Sequence, residues 1–170
     1  EASLAQSLSR AQRSAALLQP RLDQLCDILL SGEKDRPRLK QPRWQAGYDL
    51  ALGRALAVKV RTDGYNAMLA LGKQGMPFAD EKNNVWTLRP ADQYADSTLE
   101  RLAEKARLYL NRTVEEHPET PWALLAEEEL ATPLGWKWTE SYTPLEPRGE
   151  GAGNRPRPQP QRPAIPERPP

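Results

Sequence analysis

The sequence predicts a mainly α protein: antiparallel helical hairpins packed as a repeat or bundle, one short β-hairpin or extended excursion, and a disordered proline-rich tail. Three observations carry this. Apolar residues recur at steps of three and four through residues 3–31, 43–72 and 97–131, the spacing of a buried helical face. Capping residues and prolines stand where those runs start and stop. After Tyr142, prolines and arginines replace the apolar pattern altogether. The expected boundaries are 1–145 for the helical module, with a short hairpin or an extended excursion at 76–90, and 146–170 for the tail.

The first run places Leu4, Leu8, Ala11, Ala15, Leu18, Leu22, Leu25 and Leu29 on one stripe. Pro20 lies inside it and has no amide hydrogen to donate, so a kink or split is expected near Gln19. Gly32 ends the element, and GEKDRPRLKQPR makes a polar connection. Pro42 suits the first turn of the next helix, whose buried face is expected to carry Trp44, Tyr48, Leu52, Ala55 and Leu56. Arg54, Lys59 and Arg61 are expected in solvent. Gly47 and Gly53, each costing about 1 kcal/mol against alanine in a helix interior, point to close approach of a neighbouring backbone. Asp63-Gly64 is expected to break this helix before Tyr65, Met68, Leu69 and Leu71 continue its pattern.

Residues 76–90 change character, and MPF, ADEKNN, then VWTL closed by Pro90 reads as a short two-stranded excursion or an extended loop. An isolated hairpin is marginal in water, so Phe78 and Trp86 must pack onto the helices. Ser97 and Glu100 have the spacing of a capping box for a helix that buries Leu99, Leu102, Ala106, Tyr109, Leu110 and Val114. Pro118 stops that helix at His117. Thr120 then caps a further helix with Pro121 at its first position and Trp122, Leu125, Ala126 and Leu130 inward. Trp122 is expected to face Tyr109 across the turn. Trp136 and Trp138, one residue apart, share a face if extended, and that face is expected to cover the helical hairpin. The tail holds Pro147, Pro156, Pro158, Pro160, Pro163, Pro166, Pro169 and Pro170, too little apolar area to offset ordering entropy.

Composition narrows the chemistry. With 24 Lys and Arg against 23 Asp and Glu, net charge is +1, so no global field draws the chain to nucleic acid or an anionic membrane. No apolar run approaches the roughly 20 residues of a membrane span. Cys26, the single cysteine, sits among leucines and reads as a buried inert thiol. There is no initiator methionine or signal-peptide pattern at Glu1, so a mature product or excised fragment is expected. His117 with Glu115, Glu116 and Glu119 lacks the ligand number and spacing of a metal site and reads as a structural or surface helix-end residue. No nucleophile is paired with a base and no phosphate loop occurs, so no catalytic residue, metal or cofactor is expected. Lys34, Arg36, Arg38, Lys40 and Arg43 form a basic run broken by Glu33 and Asp35, which reads as a solvated loop. Arg155-Pro156-Arg157-Pro158 has the form of a ligand for proline-recognising domains, although a linker is the plainer reading. Trp44, Tyr48, Tyr109, Trp122, Trp136 and Trp138 are the candidate partner-binding residues or core anchors.

Residues 97–131 resemble a tetratricopeptide-like unit: Ala106 and Tyr109 in a first helix, a proline-containing turn, then TPWALLA opening the second. RWQAGYDLALGRALAVKVRTDGYNAMLA, EKNNVWTLRP and TPWALLAEEELATPLGWKW are similar to the C-terminal region of large bacterial von Willebrand factor A domain-containing proteins, over about residues 40–140. The Asp-x-Ser-x-Ser metal string of that adhesion fold does not occur; Asp96-Ser97-Thr98 is a helix cap instead. The resemblance therefore implies an accessory region with no Mg²⁺ site to transfer. The function expected is a non-catalytic helical interaction or scaffold module whose partner is a protein or another domain of the same longer chain. No small-molecule substrate is expected. A cytoplasmic or cell-envelope location follows only if the chain is part of such a protein. The alternative is a nucleic-acid-associated protein using the 34–43 loop and the arginine-proline tail, which a net charge of only +1 disfavours.

Overall fold

The computed structural model describes residues 2–144 and orders them as α1 (Ala2–Ser31), a 3₁₀ turn (Glu33–Arg38), α2 (Pro42–Lys73), β1 (Val85–Ala91), α3 (Ser97–Glu116), α4 (Pro121–Leu130) and β2 (Gly135–Ser141). Among the described residues the fold is mainly helical, as the apolar spacing predicts, and carries one two-stranded antiparallel sheet. The tail expected at 146–170 lies outside the described residues.

Small and apolar residues run around several sides of α2, and this 32-residue helix, about 48 Å long at 1.5 Å per residue, is the spine of the fold. Its partners on α1 retreat as α2 advances. The Tyr48 hydroxyl donates to Leu29 O at 2.7 Å, Lys59 pairs with Asp23, Gln19 donates to Asp63 at 2.9 Å, and Gln12 donates to Asn66 O at 2.9 Å. The two helices are therefore antiparallel. On another side Asp49 meets Arg112 and Gly53 meets Leu110, so α3 is antiparallel to α2 as well. A Cβ at Gly53 would stand 2.8 Å from Leu110 Cγ, which is the close approach its small residues predict. Chain reversal then brings α4 alongside α2 in the same direction, with Trp122 near Gly47 and Glu129 bonded to Arg54. Buried Leu52, Leu56, Val60, Ala106 and Tyr109 fill the main core, while Leu50, Leu110 and Ala126 fill a second between α2, α3 and α4.

Several expectations need correction. Residues 76–90 do not form a local hairpin. Their strand, β1, pairs with the distant β2, Trp86 opposite Glu140 and Leu88 opposite Trp138. A sheet spanning this separation is held by tertiary packing, because β2 lies along the C-terminal half of α2. The Trp136 indole donates to Arg61 O at 2.8 Å and the Trp138 indole to Met68 O at 2.9 Å. The two tryptophans do share one face, but it covers α2 rather than the α3–α4 hairpin. Neither Pro20 nor Asp63-Gly64 divides its helix. Gly64 is buried with Trp136 Cδ1 3.4 Å from where its Cβ would be, so packing holds the helix there.

Caps are partly as expected. Thr120 takes the Ala123 amide at 3.3 Å and donates to His117 O at 2.6 Å, with Pro121 at the first position of α4. At α3 the cap is Asp96, not Ser97: its carboxylate takes the amides of Thr98 and Leu99 at 2.8 and 2.9 Å. A carboxylate also suits the positive end of the helix better than a hydroxyl.

Burial shifts too. Trp44 is 57% exposed, and Leu18, Leu25 and Leu125 are exposed rather than inward. Lys59 and Arg61, expected in solvent, are largely buried in ion pairs with Asp23, Asp63 and Glu129.

Candidate functional site

Several places among the described residues gather chemistry or open surface, and the first is a buried charge cluster. Asp49 on α2 has no exposed side chain. Arg112 grips it from α3 with two bonds, Nε at 2.9 Å and Nη2 at 2.7 Å. From the 3₁₀ turn, Arg36 Nη2 adds a third at 2.7 Å and also reaches Glu116. Nearby, Glu33 accepts from Lys105 at 2.7 Å and from the Tyr109 hydroxyl. Those bonds, Lys105 first, hold the Glu33 carboxyl below its usual range. Arg36 does the same for Glu116. Burial and then the Glu33 bond push the Tyr109 phenol up. Both oxygens of Asp49 are filled by guanidinium nitrogens, so this carboxylate fastens three elements together.

The second place is a cleft of about 590 Å³ at the end of α2, walled by Phe78, Trp86 and Trp138 with Met76 and Gly72 beneath. Phe78 and Trp86 stack with centroids 5.2 Å apart and planes 10° from parallel. The third is a shallow groove of about 470 Å³ between α1 and α2, lined by Leu22, Leu25, Leu29, Ala51, Ala55 and Val58. Leu25 and Val58 are 47% and 44% exposed at its rims.

The six aromatic candidates do not meet at one site. Tyr48 and Tyr109 touch edge to face at 6.4 Å beside the charge cluster. Trp122 is only partly buried and packs against the Leu50, Leu110 and Ala126 core rather than facing Tyr109. Trp136 packs on Tyr65 at 5.3 Å. Trp44 is exposed beneath the Arg43 guanidinium, 4.8 Å above its ring. Only Trp138 lines the aromatic cleft. Trp86 and Phe78 join it because β1 pairs with β2 across the end of α2, a juxtaposition with no local signal.

The basic run is largely committed. Arg36 is held by Asp49 and Glu116, Arg38 by Asp35, and Arg43 lies over Trp44. Cys26 is buried, and burial raises its thiol pKa, which fits an inert thiol. His117 is only 8% exposed, so its place is structural and not at the surface. Among the described residues, no group of three or more His, Cys, Asp or Glu is gathered to hold a metal ion. No helix among them is long and apolar enough to cross a membrane. No protein-family model, curated protein or solved structure matches this chain.

Proposed function

We propose that this chain is a non-catalytic helical interaction module that receives an apolar helix face from a protein partner or from another domain of the same longer chain. The observation that carries the reading is the α1/α2 groove. Leu22, Leu25 and Leu29 recur at helical steps along one wall, and Ala51, Ala55 and Val58 along the other. Two helices that leave a leucine-lined furrow present the geometry that takes a partner's residues at i, i+3, i+4 and i+7. Arg54, tied to Glu129 at 3.2 Å, supplies a polar edge. The resemblance of residues 40–140 to the C-terminal region of von Willebrand factor A-type proteins, and of 97–131 to a tetratricopeptide-like hairpin, supports an accessory, partner-binding role.

The test compares pull-downs from native lysate by the wild-type chain and by a Leu25→Glu/Val58→Glu variant. Both sites are half-exposed, so the variant should keep its helical circular dichroism. A partner identified by mass spectrometry should be retained by the wild type and lost by the variant. If every captured protein binds both equally, the groove is not the interaction surface.

A further inference from the structure

We propose that segment 155–163 of this same chain, RPRPQPQRP, docks as a polyproline helix in the cleft of Phe78, Trp86 and Trp138. The walls suit that occupant. Both indole N–H groups are already spent on the chain's own carbonyls, Trp86 to Met76 O at 3.3 Å and Trp138 to Met68 O at 2.9 Å. What they offer a ligand is flat apolar ring face. Prolyl rings on a preformed, low-entropy helix are the peptide chemistry that packs on such faces. Gly72 lets the Trp138 ring lie close against α2, where a Cβ would stand 3.1 Å from Trp138 Cζ2.

The chain delivers the segment to this place. Asn84, on the cleft lining, clamps Thr143 with two bonds, Nδ2 to Thr143 O and Thr143 N to Oδ1, each 2.8 Å. Residue 144 therefore leaves from the rim. Residues 144–154 come next in the sequence, a length of chain that reaches about 30 Å at ~3.1 Å per residue. A tether of that length holds the segment at an effective concentration on the order of millimolar, so a weak contact suffices. Charge favours the match. Asp80 and Glu140 lie where the loop after Phe78 folds onto β2: Glu140, opposite Trp86 in the sheet, accepts the Ala79 and Asp80 amides at 2.8 and 3.3 Å. The segment brings Arg155, Arg157 and Arg162. This contact and the α1/α2 groove are different surfaces, so either proposal can fail alone.

The experiment uses the full chain with ¹⁵N-labelled tryptophan, the indole signals being assigned with Trp86→Phe and Trp138→Phe. A Pro156→Gly/Pro158→Gly/Pro160→Gly variant removes the preformed helix without touching residues 2–144. The Trp86 and Trp138 indole signals should move, those of Trp44, Trp122 and Trp136 should stay, and the difference should not depend on protein concentration. Adding a synthetic peptide of residues 154–164 to the variant at millimolar concentration should return both signals toward their wild-type positions. Identical indole spectra for the variant and the wild type would overturn the proposal and leave the cleft to another ligand. A difference that vanishes on dilution would also overturn it, by assigning the segment to the cleft of a second copy.

Discussion

Arg112 reaches from α3 to grip Asp49 on α2 through two parallel bonds of 2.9 and 2.7 Å, and the carboxylate it holds is wholly buried. Arg36 approaches the same carboxylate from the 3₁₀ turn, so one anion ties three segments that are distant in sequence. Two parallel bonds from a planar guanidinium fix orientation as well as distance.

Asp49→Ala should therefore destabilise by about 3–5 kcal/mol, because it strands two guanidinium groups at a partly desolvated position. Urea unfolding measures this. A loss below about 1 kcal/mol would mean that water takes over the role of the carboxylate.

Gly53→Ala should lower stability despite the higher helix propensity of alanine. The added methyl would stand 2.8 and 2.9 Å from Leu110 Cγ and Cδ2, and 3.2 Å from the Leu110 backbone nitrogen. The side chain can yield; the backbone can do so only if the helices part. Overpacking of this kind costs about 1–3 kcal/mol, against a propensity gain of about 1 kcal/mol. A raised denaturant midpoint would show that α2 and α3 separate freely.

Trp122→Ala should cost about 2 kcal/mol, less than the roughly 3–5 kcal/mol of a fully buried tryptophan, since part of the ring stays in solvent. Its loss opens the Leu50, Leu110 and Ala126 core from the α4 side. A change under about 0.5 kcal/mol in equilibrium unfolding would mark the ring as a surface contact.

Stability should fall at both ends of the pH scale. Glu33 and Glu116 are held below their ordinary range by Lys105 and Arg36 respectively. Depressed carboxyls stabilise the fold above the unfolded value of about 4.3 and lose that contribution as pH falls through their lower folded values. Tyr109 and Tyr48 are raised, chiefly by burial. Their contribution is complete below the unfolded value of about 10 and is lost as pH rises through the folded ones. Melting temperatures across pH should show both limbs, and Glu33→Gln should flatten each. An unchanged profile in that variant would remove Glu33 from the account.

The sequence alone determined the helices and many of their ends, because those depend on neighbours three or four residues away. The apolar steps of α2 and α3, Thr120 with Pro121, and Pro42 at a first turn are all interactions within one or two turns. Even the tight α2 seam was legible, since Gly53 costs too much in a helix unless something presses against it. Which face of each helix is covered depends instead on how the helices pack against one another. Leu18 and Leu25 lie on a regular apolar stripe, yet α2 covers α1 along a line that leaves them in solvent. The same holds for the strand at 85–91, whose partner lies beyond two intervening helices. Asp49, unremarkable among many carboxylates in sequence, becomes the anchor of three segments only when Arg36 and Arg112 arrive. The aromatic cleft exists only because β1 meets β2 at the end of α2. Local rules fix backbone conformation within a turn or two, whereas burial and long-range pairing belong to surfaces that exist only once the chain has closed on itself.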